Sequence, residues 1–135
     1  MNHVISKDFT FSMGHALTTY TGNCHNLHGH NYKLSVAVGS DNLDPQGFVM
    51  DFGTLKAVVN ETIDAYYDHQ FLIFKDDPRV ADLQGHVRTV DYEPTAENLI
   101  QRIMDDVDHR LIEMGFNAVQ ARLWETDTAS AYWTA

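Results

Sequence analysis

The chain opens with two segments in which apolar and polar side chains alternate, the two-residue period of a half-buried β-strand. In the first segment, one face carries Ile5, Phe9, Phe11, Met13 and His15. After a polar loop, the pattern returns on a face that carries His28, His30, Tyr32, Leu34, Val36 and Val38. Residues 39–47 contain Gly, Asp, Asn and Pro, a composition that predicts a turn. The pattern predicts two consecutive strands that pair antiparallel.

Two amphipathic helices follow, each with apolar residues three or four positions apart. Asp51 is a suitable N-cap for the first helix, whose apolar face carries Leu55, Val58, Val59, Thr62, Ile63 and Tyr66. Thr95 is a suitable N-cap for the second helix, and Gly115 ends it. The apolar stripe of this second helix carries Leu99, Ile100, Ile103, Val107 and Leu111.

Alternation resumes after Gly115 and predicts two more strands. One face of the first carries Val119, Ala121, Leu123 and Glu125, and a short last strand lies around Tyr132 and Trp133. The element order is therefore ββααββ, which predicts an α+β fold: a four-stranded antiparallel sheet with two helices on one face. No repeat or linker interrupts it, so residues 1–135 are interpreted as a single domain. The exposed sheet edges favour a homo-oligomer.

The charge balance narrows the classes of partner. Nine Lys and Arg residues against nineteen Asp and Glu give a formal net charge of −10, which repels phosphate backbones and anionic lipid. We therefore expect no nucleic acid partner. The longest apolar run, residues 71–74, is far shorter than the roughly 18 residues of a membrane span, so we expect no membrane partner. The first residues lack the pattern of a secretory signal, which favours a cytoplasmic location.

Three histidines suggest a metal site. His28 and His30 are two residues apart on a strand, so their imidazoles project from the same face. His15 ends the first strand on its apolar face and can converge on them if the strands form a hairpin. Three protein nitrogens hold zinc with a fourth position open, which is typical of catalytic sites. The alternative is that these histidines only hydrogen-bond to neighbours. His25 has an odd offset from His28 and is left outside the set.

Cys24, Asp68, His69 and Glu125 are the other candidates for chemistry. Cys24 is the only cysteine and lies in the polar loop before His28, where a base, a nucleophile, a zinc ligand or a buried small residue all remain possible. Asp68 and His69 follow the first helix and are a candidate acid–base pair, or simply a solvated helix end. Glu125 ends an apolar face and requires a donor-rich partner unless its strand has already reached solvent.

Taken in order, these motifs resemble those of the 6-pyruvoyltetrahydropterin synthase superfamily over residues 8 to 133. The matching segments are Phe11 to His15, Cys24-x3-His28-Gly29-His30-Asn31-Tyr32, Gly47-x3-Asp51-Phe52, Asp68-His69, Pro94-Thr95-Ala96-Glu97-Asn98 and Glu125-Thr126. The three residues between Cys24 and His28 resemble the bacterial 6-carboxy-5,6,7,8-tetrahydropterin synthases of queuosine biosynthesis, because the pyruvoyl-forming enzymes typically have five.

The resemblance implies the tunnelling fold, in which subunits join their sheets into a barrel, commonly as a hexamer of two stacked trimers with active sites between subunits. It implies that His15, His28 and His30 hold Zn²⁺. Cys24 would be the proton-transferring base, with Asp68 and His69 as its acid–base partner. Glu125 would anchor the pterin, and Thr95 and Glu97 match a segment near the substrate; Glu97 could equally be a first-turn helix charge.

The implied reaction converts 7,8-dihydroneopterin triphosphate, a small-molecule pterin substrate, to 6-carboxytetrahydropterin with release of acetaldehyde and triphosphate. No organic cofactor is implied. A 6-pyruvoyltetrahydropterin synthase acting on the same substrate is the first alternative. A non-catalytic zinc- or pterin-binding module and a zinc-hydroxide hydrolase are alternatives of other classes.

Overall fold

A computed structural model describes residues 1–135. Its elements in chain order are β1 (His3–Ala16), β2 (His28–Ser40), α1 (Phe52–Tyr66), β3 (Phe71–Phe74), β4 (Arg88–Val90), α2 (Ala96–Glu113), β5 (Asn117–Trp124) and β6 (Ser130–Thr134). Two short 3₁₀ helices, Asn23–His25 and Pro78–Leu83, lie in the connections after β1 and β3. None of the helices combines the length and the apolar character that crossing a membrane would require.

The strands form one six-stranded sheet in the order β4-β3-β1-β2-β5-β6. The pairs β1–β2, β2–β5 and β5–β6 are antiparallel, as expected from the sequence. The predicted order ββααββ and the four-stranded, purely antiparallel sheet are both wrong, because β3 and β4 lie between the two α-helices in the chain and extend the sheet with parallel pairs. These two strands have only four and three residues, too few to show an alternating pattern.

Both α-helices pack on one face of the sheet, as predicted, and share one core of 25 buried residues with it. The apolar stripe of α2 is buried throughout, and so is the face of α1 from Leu55 to Ile63. Tyr66 departs from the prediction: it is 43% exposed, and Tyr67 is buried instead. The helix ends at Tyr66, and the non-helical backbone of Tyr67 turns its ring back toward the core.

The predicted helix caps are confirmed. The Asp51 carboxylate accepts a hydrogen bond from the Gly53 amide at 2.6 Å, and the Thr95 hydroxyl accepts one from the Asn98 amide at 3.2 Å. Gly115 follows α2 with a φ of +88°, a left-handed conformation that glycine adopts without the steric cost of a Cβ. These local signals fix where α2 starts, and its start lies against the histidines described next.

Candidate active site

The register of β1 and β2 brings three histidines together. His15 lies directly opposite His28, and Met13 lies opposite His30. One nitrogen from each of the three imidazoles falls in a group whose members all lie within 4.8 Å of one another. Pairing of the two strands therefore produces the convergence expected from the alternating pattern, and this group can hold a metal ion.

Backbone carbonyls orient two of the three imidazoles. Nδ1 of His15 donates to the carbonyl of Pro94 at 2.7 Å, and Nδ1 of His28 donates to the carbonyl of Asn26 at 2.6 Å. A carbonyl oxygen can only accept, so in both rings Nδ1 carries a hydrogen, and in the neutral form of such a ring Nε2 is the nitrogen with a free lone pair. The two Nε2 atoms face each other at 3.0 Å. This is the outer-shell arrangement that commonly orients histidine ligands to metals.

The third imidazole supports the same interpretation. Nε2 of His30 is buried and has no hydrogen-bond partner. A buried nitrogen without a partner carries a free-energy cost that a metal ion would remove. Burial lowers the pKa of His30, which favours the neutral, ligating form. Imidazole nitrogens suit zinc and related transition metals, so the donor set fits such an ion with a position left for water or substrate.

The carboxylate of Glu125 lies beside this group. Its Oε1 is 3.1 Å from Nε2 of His15 and 3.5 Å from Nε2 of His30; the second distance is that of an ion pair and lacks hydrogen-bond geometry. Contact with the His15 imidazole is the main cause that lowers the pKa of Glu125. Only 22% of the side chain is exposed, so Glu125 faces the histidines although its strand ends at Trp124. A negative charge here would balance the positive charge of a bound metal ion.

The ring of Tyr32 packs against the histidines on the core side, a role that the sequence did not indicate. Its ring meets those of His15 and His30 edge-on, and its hydroxyl lies 3.5 Å from Nδ1 of His15. Tyr32 is fully buried, and burial raises its pKa, so the phenol stays neutral. The available signal was its position two residues after His30, on the same face of β2.

Cys24 lies in the first 3₁₀ helix and is partly exposed. Its carbonyl accepts a hydrogen bond from the Leu17 amide at 3.0 Å, which places it just beyond the end of β1. Its sulfur is not part of the group of candidate metal ligands. His25 is also outside that group, and its Nδ1 donates to the carbonyl of Leu17 at 2.9 Å.

The side chains of Asp68 and His69 are in contact at the edge of β1. Nδ1 of His69 lies 3.0 Å from Oδ1 of Asp68, which also accepts from the Ser12 amide at 3.0 Å. The bond from Ser12 is the main reason why the pKa of Asp68 is lowered. The His69 amide donates to the Ser12 carbonyl at 2.7 Å, and the φ of His69 is +62°. The imidazole itself is 82% exposed.

His69 opens onto a shallow cleft of about 430 Å³. The cleft is lined by Ser12, Met13, Gly14, Gly29, His30, Asn31, His69 and Gln70.

Ser12 and Asn31 project from the face of the sheet opposite to the core, whereas His15 projects into the core. Ser12 is also about 13 Å from Ala16 along β1, at a rise of about 3.3 Å per residue. The chain therefore places Cys24 and the Asp68–His69 pair at separate points along β1.

Thr95 and Glu97 lie at the start of α2. The Thr95 hydroxyl is engaged as the N-cap, as described above. Glu97 is exposed in the first turn, where a carboxylate interacts favourably with the helix dipole. Pro94, the residue before the cap, carries the carbonyl that orients His15.

Known proteins resemble the chain in sequence and in fold. The family model described as 6-pyruvoyl tetrahydropterin synthase matches residues 4–135. A 6-carboxy-5,6,7,8-tetrahydropterin synthase from Aquifex aeolicus is 37% identical, with 97% of each chain covered. One from Haemophilus influenzae is 33% identical, with 93% of this chain and 94% of the relative covered.

Solved structures show the same fold. An uncharacterized protein from Wolinella succinogenes superposes with a TM-score of 0.86 at 23% identity, covering 98% of this chain and 97% of that one. The 6-pyruvoyl tetrahydropterin synthase of Caenorhabditis elegans gives a TM-score of 0.75 at 21% identity, covering 98% of this chain and 95% of that one. Because the family model matches nearly the whole length of the chain, the chain belongs to the 6-pyruvoyl tetrahydropterin synthase family.

Proposed function

We propose that the protein is a zinc-dependent 6-carboxy-5,6,7,8-tetrahydropterin synthase, with residues 1–135 as one catalytic domain. Its substrates would be 7,8-dihydroneopterin triphosphate and water, and its products 6-carboxytetrahydropterin, acetaldehyde and triphosphate. The observation that carries the proposal is the convergence of His15, His28 and His30 beside the Glu125 carboxylate. The names of the relatives from Aquifex aeolicus and Haemophilus influenzae support the carboxy-forming reaction over others of the family.

Glu125 is the proposed anchor for the pterin. A carboxylate can accept two parallel N–H bonds from the 2-amino-pyrimidinone edge, which fixes both the position and the orientation of the ring. The lowered pKa of Glu125 keeps it ionised and ready to accept. We place Thr95 and Glu97 nearby as further substrate contacts, because they belong to the segment whose Pro94 carbonyl reaches His15.

The three histidines would hold the zinc ion, which supplies Lewis acidity without redox chemistry. The remaining chemistry is proton transfer by side chains. Cys24 is the proposed base, and its partly exposed thiol can exchange a proton with a bound substrate. His69 is the proposed partner acid: Oδ1 of Asp68 lies 3.0 Å from its Nδ1 and would hold a hydrogen there, which leaves Nε2 to take up and return a proton.

A complete site requires more than one copy of the chain under this proposal. Cys24 and the Asp68–His69 pair lie at separate points along β1, so the pair of a second subunit would face the Cys24 of the first. The strands β4 and β6 leave the two edges of the sheet free for such contacts. We therefore propose a homo-oligomer, a hexamer of two trimers. A cytoplasmic location agrees with the single free thiol.

The deciding experiment incubates zinc-loaded protein with 7,8-dihydroneopterin triphosphate and follows acetaldehyde and the pterin products by mass spectrometry. We expect acetaldehyde and a 6-carboxypterin in equal amounts, and neither with the Cys24→Ala variant. A pyruvoyl product would instead identify the sister activity. Tight pterin binding without turnover would leave a binding module, and hydrolysis of simple esters without pterin binding would indicate a zinc hydrolase.

A further inference from the structure

The connection between β3 and β4 contains a buried ion pair that the proposed chemistry does not use. The side chain of Asp77 is 1% exposed and that of Arg79 is 25% exposed. The Arg79 guanidinium donates two hydrogen bonds to the carboxylate, from Nε to Oδ1 at 3.0 Å and from Nη2 to Oδ2 at 2.7 Å. The Arg79 amide also donates to Oδ1 at 2.9 Å, so Asp77 caps the second 3₁₀ helix. Three hydrogen bonds from Arg79 therefore hold the Asp77 carboxylate.

The other contacts of Arg79 go to the loop that contains Cys24. Its Nη2 donates to the Leu17 carbonyl at 3.2 Å, and its Nη1 donates to the His25 carbonyl. The Leu17 amide in turn donates to the Cys24 carbonyl. One guanidinium thus joins the start of the loop to the residue that follows Cys24.

A second set of bonds holds the same loop at Thr18. Its hydroxyl donates to Oδ2 of Asp77 at 2.9 Å, and its amide donates to both carboxylate oxygens of Glu93, at 3.1 and 3.0 Å. Glu93 precedes Pro94, whose carbonyl orients His15. The loop is consequently attached both to the Asp77–Arg79 pair and to the backbone that sets the orientation of one candidate metal ligand.

Hydrogen bonds are the main restraint on this loop. The 3₁₀ helix that contains Cys24 has no fully buried residue, so burial in the core contributes little to fixing its position. A loop with few buried contacts samples many arrangements unless directed bonds select one. Arginine suits this task because its planar fork of five donors can serve the carboxylate and two carbonyls at once, which a lysine cannot do.

We propose that Asp77 and Arg79 are positioning residues for catalysis, holding the loop of residues 17–27 so that Cys24 keeps one place relative to the metal centre. This inference rests on the proposed function of Cys24 as the base. It assigns a task to the connection between β3 and β4, which lies outside the histidine cluster. Neither residue touches the substrate; both act through the backbone of the loop.

The test compares zinc-loaded wild-type protein with Arg79→Met, and with Arg102→Met as the matched control. Arg102 lies on the solvent side of α2 and pairs with Asp91 at the surface. For Arg79→Met we expect kcat to fall by about 10- to 100-fold, because small displacements of a reacting group are costly, while KM changes less than about twofold. Bound zinc should stay at the wild-type stoichiometry, and the control should match wild type in every measurement.

Two further measurements report on the loop itself. Hydrogen exchange followed by mass spectrometry should become faster in residues 17–27 of Arg79→Met and stay unchanged in β1 and β2. The rate at which iodoacetamide alkylates Cys24 should change by at least about threefold. Arg79→Lys, which keeps the charge and loses the fork, should behave like Arg79→Met. This variant also replaces Arg79→Met if the latter does not fold.

The outcomes separate this inference from the proposed function. If wild-type protein does not turn the pterin over, the proposed function fails and the catalytic role with it. Loop exchange and thiol alkylation then still decide whether Arg79 holds the loop. If wild type is active and Cys24→Ala is inactive, a folded Arg79 variant with unchanged kcat overturns the inference. Unchanged exchange and alkylation in that variant overturn it as well.

Discussion

The imidazole of His15 donates its Nδ1 hydrogen to the backbone carbonyl of Pro94 across 2.7 Å. Pro94 precedes the N-cap of α2, so the start of a helix orients a candidate metal ligand on β1. This bond turns Nε2 of His15 toward Nε2 of His28, which lies 3.0 Å away. The helix and the strand pair therefore have to assemble before the metal centre is complete.

His30 offers the sharpest test of that centre. Its Nε2 has no hydrogen-bond partner in the protein, so His30→Ala leaves no polar group behind unpaired. We expect the variant to fold and to bind Co²⁺ or Zn²⁺ at least about 100-fold more weakly, measured by Co²⁺ absorbance and by competition with a chelator. The exposed His109, paired only with Glu113 on α2, provides the control His109→Ala. Equal metal affinity in the two variants would show that the histidine cluster is not the metal site.

Mixing two inactive variants tests whether one site draws on two subunits. Cys24→Ala and His69→Ala should each be inactive alone. If Cys24 and His69 act across an interface, unfolding and refolding a one-to-one mixture should restore about a quarter of wild-type activity, because that share of random pairings keeps both side chains. Mixing without subunit exchange is the control. A refolded mixture that contains mixed oligomers but stays inactive would show that both residues act within one chain.

The sequence predicted most of the elements, because most carry their own local signal. Asp51 and Thr95 cap the helices where expected, and alternation located β1, β2 and β5. The strand β3 was missed because residues 71–74 are all apolar, and a short continuous run does not reveal which structure buries it. Its pairing with Gly14–Ala16 joins segments far apart in the sequence, which no local pattern encodes.

The sequence predicted the side chains of the candidate site, but it did not predict the groups that orient those side chains. Parity on paired strands indicated that His15, His28 and His30 could meet. The carbonyls of Pro94 and Asn26 could not be identified, because a backbone group has no sequence signature. The contacts of Arg79 with the Cys24 loop join residues more than fifty positions apart, and no local pattern encodes such a pairing.

Thr95 allows helix capping and substrate binding to be separated. Its hydroxyl accepts from the Asn98 amide, so Thr95→Ala should lower the free energy of unfolding by about 1 kcal/mol, measured by urea denaturation. Thr95→Asn restores an N-cap acceptor and should recover that stability. If the hydroxyl also contacts the substrate, Thr95→Asn will keep a raised KM. If Thr95→Asn recovers both the stability and the KM of wild type, Thr95 acts only as a helix cap.

Glu125→Gln tests the pterin anchor. The substitution keeps the shape of the side chain and removes the charge that two N–H donors of the pterin would share. We expect the affinity for a dihydropterin to fall by about 10- to 100-fold, measured by fluorescence titration, with metal affinity changing less. Glu113→Gln, on the exposed surface of α2, is the control. Unchanged pterin affinity would contradict the anchor and favour a metal site of another function.

The Asp77–Arg79 pair also predicts how stability depends on pH. The hydrogen bonds from Arg79 hold the pKa of Asp77 well below its usual range. Glu93 and His25 are the other titratable groups that belong to this network. A carboxyl whose pKa is lower in the folded than in the unfolded state stabilises the protein above its unfolded pKa of about 3.9. That contribution is lost as the pH falls through the folded value.

Asp77→Asn should therefore be less stable than wild type by about 2 kcal/mol at pH 7, because it weakens hydrogen bonds to a charged group. The difference should be constant from pH 7 down to about 5 and should shrink below pH 4, as wild type loses the same contribution. Urea denaturation at several pH values measures it, with Asp82→Asn, exposed in the same 3₁₀ helix, as the control. A difference that grows as the pH falls would show that the ion pair does not stabilise the fold.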